Sequence, residues 1–146
     1  MGNEGVILHY LVIDPGETSG VVEFTATGEV IAMHQLKKDE LYTYLDKLHE
    51  SPPQVIVYEE YKIFAHKAAS HTNSKVPTLQ IIGAIKYFGH RVKATVVEQP
   101  SQAKVIGYKY GGFNAPKNHA LSHGPDALAH GWYYLVKHKI LKVKPV

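Results

Sequence analysis

Apolar residues fill Val6 to Ile13 almost without interruption, the pattern of a central strand covered on both faces. Asp14 ends the run and "PGETSG" reads as a turn. Two shorter runs follow, "VVEF" (Val21 to Phe24) and "VIAMH" (Val30 to His34), separated by a turn at "ATGE". Three strands on short turns predict an antiparallel meander. Asp39 then reads as the cap of a helix in which Leu41, Tyr44, Leu45 and Leu48 recur at the helical period. "SPP" stops that helix, and "QVIVYE" is a fourth strand.

From Tyr61 to Lys75 the periodicity dissolves into "YKIFAHKAASHTNSK", a polar, basic stretch with aromatic interruptions that reads as a loop or the start of a helix. "VPTLQIIGAIKYFGHR" predicts a second helix with Leu79, Ile82, Ile85 and Phe88 roughly on one side. "VKATVVE" predicts a fifth strand, and "SQAKVIG" a short helix. "YKYGGFNAPKNH" reads as a Gly-rich loop containing lysines. A last helix runs from about Ser122 to Lys139, with Leu128, Trp132, Leu135 and Val136 toward the core. Strands first, then helix and strand in alternation, imply an α/β protein with a mixed sheet flanked by helices.

The length of 146 residues suits one domain spanning 1–146, with neither repeat nor linker. Absence of cysteine removes disulfide frameworks and thiolate zinc sites, and suits a reducing, cytoplasmic setting. The start of the chain lacks a basic region and its apolar run breaks at Asp14, so neither a signal peptide nor a membrane span is expected. A net charge of +3 permits a polyanionic partner without demanding one.

The chemistry concentrates at three acidic places. Asp14 closes the first strand ahead of a tight Pro15-Gly16 turn, which serves equally as a plain strand end or as a carboxylate at the lip of a sheet. Glu59 and Glu60 close the fourth strand; side chains alternate there, so only one can face a given site. In "SHGPDALAHGWYYL", Asp126 falls in the first turn of the last helix, where the dipole favours a carboxylate whether or not it binds anything. His123, Asp126 and His130 share a helix side, although for His130 a partly buried or surface histidine is the preferred reading. Gathered together, the three carboxylates would repel unless a cation met them. Oxygen ligands of this kind suit Mg²⁺ or Mn²⁺, and two such ions are a known means of phosphodiester hydrolysis.

"LVIDPGETSG", "VIVYEEY" and "HGPDALAH", in that order, resemble the strand, strand and helix motifs of the RuvC family of Holliday-junction resolvases, within the ribonuclease H-like superfamily. The similarity spans about Leu8 to Trp132, and the short form looks most like phage-type, stand-alone members. The resemblance implies a five-stranded mixed sheet, an antiparallel meander of three strands plus two parallel strands. It implies a homodimeric, metal-dependent endonuclease acting on four-way junctions or other branched DNA, in a bacterial or phage-infected cytoplasm, without nucleotide cofactor or membrane.

Carried onto this sequence, the resemblance makes Asp14, Glu59 (rather than Glu60), His123 and Asp126 the catalytic and metal-binding set for two Mg²⁺ or Mn²⁺ ions. Nitrogen ligation by His123 would favour Mn²⁺, and His123 orienting a water is the alternative. Lys104 matches a basic residue suited to a phosphate contact. Tyr61 or Phe64 is the candidate for an aromatic wedge at the junction centre, with Lys67 in the same loop and Lys117 as a further basic contact. The chain is shorter than the bacterial resolvases between Gly107 and His123. The rival readings are another ribonuclease H-like nuclease, terminase-like or RNA-processing, and a non-catalytic nucleic-acid-binding module.

Overall fold

The computed structural model describes residues 8–61 and 76–141. Five strands, β1 (His9–Asp14), β2 (Thr18–Thr25), β3 (Val30–Lys37), β4 (Val55–Glu59) and β5 (Thr95–Gln99), form one sheet in the order β3-β2-β1-β4-β5. The first three make the expected antiparallel meander, while β4 and β5 run parallel to β1. Among the described residues the helices are α1 (Lys38–Leu48), α2 (Val76–Val92), α3 (Gln102–Gly111) and α4 (His123–Lys137), with a 3₁₀ turn at His119–Leu121.

Side-chain alternation divides the sheet into two cores. Leu11, Ile13, Val21, Ile56 and Tyr58 point to one face and pack under α1 and α2, with Leu41, Leu45, Ile81, Ile85 and Phe88. Tyr10, Val12, Val22, Phe24 and Val57 point to the other, where α4 supplies Ala127, Tyr134 and Leu135. β1 is apolar on both sides because both sides are covered.

Several boundaries differ from the sequence expectation. β2 begins at Thr18, so the turn after Asp14 is shorter than "PGETSG"; Thr18 to Gly20 are held by pairing with Lys37 to Gln35 on β3. Asp39 does not cap α1. Lys37 holds that position, and its backbone N–H donates to Glu40 Oε1 at 2.8 Å. Leu79 is 45% exposed and Ile81 takes the core position instead, because Ile81, Ile85 and Phe88 form the i, i+4, i+7 stripe that faces the sheet. Val92 ends α2 rather than starting β5, since Lys93 at φ 60° turns the chain out of the helix. Tyr108 to Gly111 belong to α3, which closes on Gly112 at φ 71°, so the Gly-rich loop is shorter than expected. α4 ends at Lys137, and its buried side carries Ala127, His130 and Tyr134 with Leu135, whereas Leu128, Trp132 and Val136 are half-buried. Among the described residues, no helix is long and apolar enough to cross a membrane.

Candidate active site

Register alone brings the first two carboxylates together. In the parallel pairing of β1 with β4, Tyr10 lies beside Val55, Val12 beside Val57 and Ile13 beside Tyr58. One step on, Asp14 meets Glu59, and parity turns both toward the α4 face. β5 continues the row, with Gln99 directly beside Glu59. Asp14, Glu59 and Gln99 thus line the carboxyl edge of three parallel strands, where α/β sheets place their ligands.

Helix α4 covers that row. Asp126 and His130 are four residues apart, about 6 Å along the axis, close to the ~4.8 Å step between strands. One helix face therefore reaches both Asp14's strand and Glu59's. The close approach depends on Gly20, which pairs with Asp14 across β1 and β2; a Cβ there would lie 1.7 Å from the His123 carbonyl oxygen. Gly107 plays the same part for α3, where a Cβ would meet the Ala129 carbonyl oxygen at 1.8 Å. That packing sets Lys104, one turn earlier on α3, over the carboxylates.

Lys104 Nζ lies 3.3 Å from Glu59 Oε1 and 3.9 Å from Asp126 Oδ2. Burial alone would lower the Lys104 pKa, but the charges of Glu59, Asp14 and Asp126 raise it above the ordinary value. Burial likewise would raise Glu59, yet the His130 hydrogen bond and the Lys104 charge hold it below the usual carboxylate range. Asp14 fares differently. Desolvation first, then the charges of Glu59 and Asp126, outweigh Lys104 and push it up to about 7. Asp126 accepts a short hydrogen bond from the Tyr108 hydroxyl.

Asp14, Glu59, Lys104 and Asp126 line a cavity of about 600 Å³ with Pro15 to Thr18, Tyr61, Thr78, His119, Ala120, Ser122 and His123. A second, more apolar cavity of about 640 Å³ adjoins it, sharing Lys104, His119, Ser122 and Asp126. Of the residues singled out in the sequence, Asp14, Glu59, Lys104, His123, Asp126 and Tyr61 meet at the first cavity. The Tyr61 hydroxyl is buried without a hydrogen-bond partner among the described residues. Lys117 is exposed and contributes to neither cavity. Phe64 and Lys67 lie outside the described residues.

His130 corrects the preferred reading of a partly buried or surface side chain. It is fully buried, and its Nε2 lies 2.8 Å from Glu59 Oε1. Gln99, which the sequence did not single out, meets the other ring nitrogen at 3.0 Å. Spacing placed His130 on the Asp126 side of the helix. Only the sheet register revealed what it would touch.

The sequence matches no family model and no curated protein. Among solved structures, the fold is similar to that of T. thermophilus RuvC in complex with Holliday junction substrate, with a TM-score of 0.68 and 16% identity over 95% of this chain and 100% of that one. The chain has a RuvC-like fold. The Fowlpox virus resolvase, solved with Holliday junction DNA, is also similar, with a TM-score of 0.51 and 15% identity over 91% of this chain and 97% of that one. Both were solved with Holliday junction DNA, and the shared fold is the architecture expected from the ordered acidic motifs.

The RuvC-like fold implies divalent metal, and the donor set can be weighed for it. Among the described residues, no three histidine, aspartate or glutamate side chains already converge as a metal cage. Lys104 holds the place between Glu59 and Asp126. The set nevertheless fits a hard cation. It offers three carboxyl groups against one ammonium, and burial, then the charge of Glu59, holds Asp14 protonated up to about pH 7.

Proposed function

We propose that the chain is a metal-dependent, structure-selective endonuclease that cleaves branched DNA, four-way junctions among them. The observation that carries this reading is the in-register pair Asp14 and Glu59 facing Asp126 on α4, in one cavity, at the carboxyl edge of a RuvC-like sheet. Asp14, Glu59 and Asp126 would hold Mg²⁺ or Mn²⁺, with His123 as a further ligand or a water-orienting group. The ions supply Lewis acidity for in-line displacement at phosphorus.

The chain's own groups do the rest. With a cation bound, Asp14 would be held as the carboxylate, and Lys104 would be free to contact a phosphate oxygen of the substrate. Tyr108 holds Asp126 from behind through its hydroxyl. Tyr61 at the cavity wall, or Phe64, would stack on bases at the branch point, with Lys67 and Lys117 neutralising phosphates. Two copies of the chain, each nicking one strand, would suit the two-fold symmetry of a four-way junction.

One assay tests the reading. A labelled four-way junction, a fork, plain duplex and an RNA–DNA hybrid are incubated with the protein and Mg²⁺ or Mn²⁺. Cleavage of the junction, abolished in Asp14→Asn, is expected. Equal cutting of the fork would broaden the activity beyond resolution. Cutting of the RNA–DNA hybrid alone would indicate an RNA-processing enzyme. The ion pairs of Lys104 with Glu59 and Asp126 favour one rival, a non-catalytic nucleic-acid-binding module in which lysine is the permanent counter-ion. Junction binding without metal uptake or cleavage would establish it.

A further inference from the structure

We infer that His130 and Gln99 form a positioning relay that aims Glu59, with the imidazole locked in one tautomer so that a proton on Nε2 always faces the carboxylate. The inference deepens the nuclease reading and rests on it.

The lock follows from hydrogen-bond directions. The Gln99 side-chain Nε2 lies 3.1 Å from the His130 backbone carbonyl and 3.0 Å from His130 Nδ1. A carbonyl can only accept, so the amide nitrogen must face it; the reversed amide would set oxygen against oxygen. The second amide proton then points at Nδ1, which must supply its lone pair. The ring proton sits on Nε2, 2.8 Å from Glu59 Oε1. No water competes, because His130 is fully buried and Gln99 is 3% exposed.

The arrangement is not what stability alone would select. Among the described residues, Gln99 Oε1 is buried without a hydrogen-bond partner, which costs about 1–3 kcal/mol. A leucine pair would fill the same space without that penalty. The cost goes toward orientation. Both His130 Nε2 and Lys104 Nζ meet Oε1 of Glu59, so Oε2 is the oxygen left to turn into the cavity. A carboxylate held by one oxygen presents the other in a fixed direction, and such outer partners are worth about 10–100-fold in metal affinity.

Three variants and two readouts beyond activity test the relay. In the chelated wild-type protein, nitrogen-15 NMR of the histidines is expected to show His130 as the Nε2–H tautomer; in Gln99→Leu that signal is expected to move toward a mixture. Mn²⁺ titration calorimetry is expected to show affinity falling about 10–100-fold in His130→Leu, with part of the loss restored in His130→Gln, whose amide can still donate to Glu59. Turnover on the junction should fall with affinity while KM for DNA stays put.

An Nδ1–H tautomer in the wild type overturns the lock. Unchanged Mn²⁺ affinity in a folded His130→Leu, with only a lower Tm, reduces His130 to a core residue and overturns the relay. If His130→Leu does not fold, Gln99→Leu and His130→Gln decide by the same measurements. A wild type that neither binds Mn²⁺ nor cuts the junction overturns the nuclease reading instead, and the tautomer spectrum still reports on the lock.

Discussion

Removing the Asp14 charge should stabilise the metal-free protein while destroying its function. Burial and neighbouring carboxylates raise this carboxyl from 3.8 to about 7. In the unfolded chain it ionises near its ordinary value. Between about pH 4 and pH 7 the folded state therefore binds more protons than the unfolded one, and stability falls as pH rises. Each pKa unit is worth about 1.4 kcal/mol, so the full difference amounts to about 4 kcal/mol. Asp14 opens onto the cavity, where water screens part of this, and about 2 kcal/mol is the expected effect. Asp14→Asn carries no such charge. Its stability should match the wild type near pH 4 and exceed it by about 2 kcal/mol at pH 8, roughly 6 °C in Tm for a domain of this size. Thermal unfolding with chelator across that pH range measures it. Adding Mn²⁺ at pH 8 should then raise the wild-type Tm and leave Asp14→Asn where it was. Parallel pH curves for the two proteins, or a variant less stable than wild type at pH 8, would refute the claim that uncompensated charge collects at this site.

Other outcomes follow from the same geometry. Gly20→Ala should cost about 3 kcal/mol and abolish cleavage together, because the added carbon overlaps the His123 carbonyl and drives α4 away from the sheet; denaturant unfolding with a junction assay tests both. Lys104→Met should tighten Mn²⁺ binding on the order of tenfold by freeing the carboxylates, yet slow cleavage, a split that calorimetry and single-turnover kinetics would reveal. Glu23 lies 3.0 Å from His9 Nε2 and accepts a hydrogen bond from the Tyr44 hydroxyl, and these contacts outweigh burial and hold its pKa below the ordinary carboxylate value. Its contribution is thus fully present above that value and lost as pH falls through the lowered one. Glu23→Gln should flatten the acid limb of the stability curve, read as a smaller loss of Tm between pH 5 and 3.

Much of the architecture was legible in the order and period of apolar residues, namely the meander, the helices and a mixed sheet flanked by them, while the two parallel strands followed from the resemblance. Local patterns were weaker at the joints, where a partner decides. Thr18 to Gly20 look like turn residues and become strand because β3 pairs with them. Val92 looks like strand and stays helical until Lys93 turns out. Leu79 and Ile82 are apolar enough for a core, but the sheet takes Ile81, Ile85 and Phe88.

For the site, the chain by itself determined that three carboxylates would stand at the ends of β1 and β4 and the start of α4. Strand alternation and helix period are local properties, so residue types and their facing follow from neighbours in sequence. What surrounds those carboxylates was decided only in three dimensions. Whether Glu59 meets Asp14 depends on the register of two strands that begin 46 residues apart. That His130 is a buried donor, and that Gln99 orients it, depends on β5 lying beside β4 under α4. A histidine or glutamine has no period that marks its partner, because hydrogen bonds between distant segments are set by packing, after the strands and helices have already formed.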